Sequence, residues 1–143
     1  MRPIALLALA LLAACDSGPV VTPGAAGTYV ATRYITPGSL DQPVDQLALG
    51  GSLRLDLALG GRFMGEGVMV QELPSRPPGD VALVPVSYAG TYAVQGDTLV
   101  TFEGATWEAA PPFSRLDYDA RAGVLADSVF GIGPFVLVLE RVD

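Results

Sequence analysis

Between residues 52 and 62 leucine recurs at every second position, Leu53, Leu55, Leu57 and Leu59, with Arg54, Asp56 and Ala58 between them. A period of two sends successive side chains to opposite faces of an extended chain, so one face is apolar and the other wet. No helix keeps residues i and i+2 on one face, and the pattern is therefore that of a half-buried strand. Gly60-Gly61 follows. Such a pair suits a tight hairpin, whose central residues need positive φ, so a strand over 52–59 is expected to pair with another over 62–72.

The same reading extends along the chain. Short runs rich in Val, Leu, Thr, Tyr and Phe at 28–36, 80–84, 87–94, 98–103, 114–119, 124–130 and 135–142 are bounded by Gly, Pro or Asp. Turns are expected at 95–97, 120–123 and 131–133. In 114–119, Ser114, Leu116 and Tyr118 alternate with Arg115, Asp117 and Asp119. The last run is apolar on both faces, which places it inside a sheet or at its closure, because an apolar edge invites aggregation. No segment reads as a helix. The expected fold is all-β, an antiparallel up-and-down meander of eight to nine strands closed into a small barrel, with a β-sandwich as the alternative.

The amino-terminal residues follow different rules. Met1 and Arg2 make a short positive region, residues 4–12 are uncharged, and Leu12-Ala13-Ala14-Cys15 follows. The apolar stretch fits a signal-peptide core and is too short to cross a bilayer, for which about 20 residues are needed. The tetrad resembles the lipobox of bacterial lipoproteins. That resemblance implies a diacylglycerol on the Cys15 thiol, cleavage before Cys15 and, in many bacteria, acylation of the new amino terminus, since stable anchoring takes two or more chains. It also implies a place in the bacterial cell envelope, facing the periplasm or the exterior. Asp16 matches the signal that holds such proteins in the inner membrane of enteric bacteria, which leaves the choice between inner and outer membrane open. The chain then divides into a signal peptide over 1–14, a Gly/Pro/Ala/Thr tether over 15–26 and one domain over 27–143, enough for a single core.

Within that domain Gly27-Thr28-Tyr29 recurs as Gly90-Thr91-Tyr92. Gly60-Gly61-Arg62-Phe63, Gly96-Asp97-Thr98-Leu99 and the closing run Val-Leu-Val-Leu-Glu-Arg at 136–141 complete a pattern that resembles the lipocalin-like lipoproteins of bacteria. In those a Gly-x-aromatic near the start plugs one end of a small barrel. The resemblance implies such a barrel here and makes Tyr29 and Tyr92 candidate ligand contacts. This chain departs from true lipocalins in having Tyr rather than Trp at position 29 and no carboxy-terminal helix. Trp107, the only tryptophan, lies in the loop region 104–113 and is a third candidate contact, because Trp buries much area with few torsions to freeze.

Composition narrows the chemistry further. The chain has no Lys and no His, and without Arg2 its seven Arg face fifteen Asp and Glu, a net charge of −8. Nucleic acid is excluded as a partner, since binding phosphate backbones needs a basic face. A membrane is reached through the lipid and not through a basic patch. With Cys15 acylated there is no thiol left for a disulfide or a nucleophile, and no His to serve as general base, so an enzyme is not expected. Glu66 with Glu72, Glu103 with Glu108, and Asp117 with Asp119 could form carboxylate pairs but read as solvated faces. The run Asp117, Asp119, Arg121, Gly123 lacks the ligands of a calcium loop, and no metal or cofactor is expected. Two functions remain: a barrel holding a small hydrophobic or amphipathic ligand, or a solid module contacting an envelope protein. The first needs small residues facing inward, for which Gly65, Gly67, Ala89 and Ala93 are the candidates. The second needs an apolar surface, for which Trp107, Phe113 and the proline loop at 73–79 are the candidates.

Overall fold

A computed structural model describes residues 23–38, 42–73, 80–104, 113–127 and 135–143. A 3-10 turn at Pro23–Ala25 leads into strands β1 (Gly27–Pro37), β2 (Pro43–Asp45), β3 (Ser52–Leu57), β4 (Arg62–Glu72), β5 (Val81–Gln95), β6 (Leu99–Glu103), β7 (Arg115–Asp119), β8 (Val124–Ala126) and β9 (Val136–Arg141). From β3 onward each strand pairs antiparallel with the next, β3 pairs with β1, and β9 returns to pair with β1. The sheet thus closes on itself as an eight-stranded up-and-down barrel, with β2 as an extra strand beside the far end of β1. Closure decides between the barrel and the sandwich. No α-helix occurs among the described residues.

The leucine alternation builds the wall as expected over Leu53, Leu55 and Leu57, all buried. Opposite them on β4 stand Gly67, Gly65 and Phe63. Leu116 and Tyr118 on β7, and Leu137 and Leu139 on β9, point inward by the same period of two. The apolar last strand lies between β8 and β1 and closes the barrel. A column of edge-to-face rings fills the middle, with Phe63 on Phe102 at 5.2 Å and Phe102 on Phe113 at 5.0 Å between centroids.

Four local features depart from the expected pattern. On β1 the register against β9 shifts between Ala31 and Arg33, so Thr32 is an extra residue. This bulge moves the inward set from Tyr29 and Ala31 to Tyr34 and Thr36. The runs 80–84 and 87–94 are one strand, β5, which crosses Pro85 without interruption because an imide nitrogen is tolerated on the side of a strand facing away from its ladder. β4 pairs along all of its length with β5, whereas β6 pairs only with residues 91–95. The hairpin after β3 is a four-residue turn over 58–61, held by the Gly61 amide on the Ala58 carbonyl at 3.1 Å, and of its two glycines only Gly61 has positive φ. Leu59 therefore leaves the buried row and is 70% exposed. β8 ends at Ala126, and residues 128–134 lie outside the described residues.

Because β3 begins at Ser52, β4 outruns it by several residues, and the gap is filled by a side chain. Gln46 is 1% exposed. Its Oε1 accepts the Val70 amide at 2.6 Å, and its Nε2 donates to the Val70 carbonyl at 3.2 Å and to Thr36 Oγ1 at 2.8 Å. Its backbone amide reaches the Tyr34 carbonyl and its own carbonyl accepts from Gly51. A primary amide presents one donor edge and one acceptor edge, as a strand residue does, so Gln46 joins β1 to β4 where no strand lies between them.

Candidate functional site

The barrel end where the chain comes in is closed by tyrosine hydroxyls. Tyr29 donates to the Ala25 carbonyl at 2.9 Å, Tyr118 donates to the Gly24 carbonyl, and Tyr92 donates to the Ala58 carbonyl at 2.8 Å. The 3-10 turn is thereby pinned under the barrel, with Ala25 fully buried. Burial raises the Tyr29 phenol, with nearby Tyr118 adding to the effect, and burial likewise raises Tyr92. Tyr29 and Tyr92 are thus packed plug residues with their hydroxyls engaged by backbone, and neither lines the open groove described below.

The two glycines that precede these tyrosines serve different ends. Gly27 has φ of +153°, and a Cβ there would stand 2.7 Å from Arg141 Nε. Gly90 lies in mid-strand, where a Cβ would overlap the Glu103 carbonyl oxygen and stand 2.9 Å from Phe63 Cε1. The first lets the carboxy-terminal residues fold over the start of β1: Asp143 accepts the Thr28 amide and holds Arg141 Nε at 2.9 Å. The second lets β6 approach β5.

The small residues proposed to line a cavity do not do so together. Ala89 and Ala93 face outward, Ala89 opposite exposed Met64 and Ala93 opposite Thr101. Gly65 faces inward, but its space is taken by Tyr88 Cδ2 and Leu55 Cδ1, 3.2 and 3.4 Å from where a Cβ would sit. Gly67 lies against the Ser52 backbone. Small barrels of this strand number either fill with side chains or hold one ligand. Among the described residues the interior is packed with core side chains, and no buried side-chain nitrogen or oxygen there lacks a partner.

Open space is found outside. A groove of about 1000 Å³ runs along the outer wall from β5 across β4 to the start of β1. Ala58, Leu59, Met64 and Ala89 supply its apolar lining. Thr28, Asp56, Arg62, Arg141 and Asp143 supply its polar rim. Asp56 accepts from Thr28 Oγ1 at 2.6 Å and pairs with Arg54 at 3.1 Å. These two contacts, Arg54 first, hold its carboxyl below the usual carboxylate value. Asp143 is held low in the same way by Arg141. Arg62 has no ion pair among the described residues. Met64 was legible as an outward residue from Phe63 and Gly65 on either side. Leu59 was not, because its exposure depends on the length of the turn.

Among the described residues, the carboxylates considered for catalysis stay apart from the interior. Glu66 is exposed opposite Arg54, and Asp117 and Asp119 are exposed on β7, where Asp119 accepts the amides of Arg121 and Ala122 in the following turn. Phe113 is 2% exposed, packed on Phe102 and Tyr88, so it belongs to the core and not to an apolar surface. Cys15, Trp107, Glu108 and most of the proline loop lie outside the described residues. Compared with family models, with curated proteins and with solved structures, the chain matches none.

Proposed function

We propose that this chain is a lipid-anchored protein of a bacterial cell envelope, held to a membrane at Cys15, whose lipocalin-like barrel acts through its outer surface as a non-catalytic structural or protein-interaction module. The observation that carries this reading is the filled interior: Tyr29, Tyr34, Phe63, Tyr88, Tyr92 and Phe102 occupy the space where an internal ligand would sit. The leader resemblance supports the anchor, and the lack of His and Lys supports a role without acid–base catalysis.

Native mass spectrometry with lipid extraction, on the full chain purified from its own membranes, tests this. The expected result is a barrel carrying only its covalent acyl groups, after which cross-linking in cells should capture a protein partner. A stoichiometric noncovalent hydrophobe would overturn the solid-module reading and restore the small-ligand one.

A further inference from the structure

The outer groove begins where the amino-terminal segment joins the barrel, since Ala26 and Gly27 form part of its wall. Leu59 and Met64, both lining it, are the two most exposed large apolar side chains among the described residues, at 70% and 69%. Exposed apolar side chains gathered in one groove with a polar rim, unlike single scattered ones, are the kind of patch that marks a contact surface. The charge around them differs from that of the rest of the molecule. Against a strongly acidic chain, the groove's Asp56 and Asp143 are each neutralised by an arginine, and Arg62 has no ion pair among the described residues. Cys15 precedes Pro23 by eight positions, a reach of at most about 28 Å when fully extended.

Resting on the lipid-anchored reading above, we propose that this groove is a bilayer-docking surface: Leu59 and Met64 seat among lipid chains beside the anchor, with Arg62 at the level of the phosphates. The short tether keeps the closed end of the barrel near the membrane. The apolar pair then sets which wall lies against it. Leu83 on β5, roughly 26 Å further along the strand than Thr91, is directed away from the lipid.

The test uses the full acylated chain in vesicles of phosphatidylcholine and phosphatidylglycerol. Leu59→Cys, Met64→Cys and Leu83→Cys each receive a nitroxide, which labels them selectively because the only native cysteine carries lipid. The labels at 59 and 64 are expected to be several-fold less accessible to a water-soluble relaxant, and several-fold more accessible to oxygen dissolved in lipid, than the label at 83. Leu83 is itself an exposed apolar residue and so controls for hydrophobicity alone. Equal aqueous access at all three sites, with acylation of Cys15 verified by mass, would overturn the docking while leaving the anchor in place. An unmodified Cys15 would remove the anchor and the docking with it. Broadening between labels at 59 on two molecules would put a second copy in the groove and equally overturn the proposal.

Discussion

At Val70 a single side-chain amide completes the barrel wall, since Gln46 takes both backbone groups of that residue in the space left by β3. Truncation to Gln46→Ala leaves a buried N–H and a buried C=O without partners, at about 1–3 kcal/mol each. The variant should lose roughly 2–6 kcal/mol, seen as a lower urea midpoint with an unchanged slope. Replacement by a leucine-rich loop could not restore it, because the function is a paired donor and acceptor and not bulk. Nothing in the local sequence marks Gln46. Its role arises only because β4 is longer than β3, a relation between elements far apart in the chain. The tyrosines were more legible: the repeated Gly-Thr-Tyr singled out Tyr29 and Tyr92, and both close the same end of the barrel.

Among the elements, β3 and β7 could be read directly because strict alternation carries through them. β1 could not, since its inward residues change parity at Thr32. Deleting Thr32 would restore strict alternation and thereby send Tyr34 and Thr36 into solvent or shift the whole pairing with β9 by one residue. The deletion variant is expected to fail to fold, read as loss of the cooperative urea transition, whereas Thr32→Ala, which keeps the residue count, should fold. β5 was read as two strands because proline is usually a stop signal, yet a proline whose nitrogen faces away from the ladder costs a strand little. Leu59 was read as core for a related reason: alternation predicts which face a residue takes only while the strand lasts. The groove was hidden in the sequence on the same account, as one of its two large exposed apolar side chains, Leu59, is placed by where a turn begins.

For the molecule as a whole, the five tyrosines are all buried. Burial raises the phenols of Tyr29, Tyr34, Tyr88 and Tyr92, that of Tyr34 to about 12. A folded-state value above the unfolded one, near 10, means that the fold holds the proton more tightly. The resulting stability is complete below about pH 10 and is lost as pH climbs through 12. The tyrosinate absorbance of these four phenols should therefore appear only well above pH 10 and together with loss of the far-ultraviolet circular dichroism of the barrel. Ionisation of these four near pH 10 with the barrel intact would contradict the packing described. The pairing of β1 on both edges, with β9 along most of its length, with β3 at its start and with β2 at its end, has a mechanical side. Hydrogen bonds between antiparallel strands lie across the strand direction, so a pull on Pro23 along β1 strains them sideways and together instead of opening them singly. Drag on the barrel, transmitted through its amino terminus, is thus shared by three neighbouring strands in shear, the loading direction in which a sheet yields last.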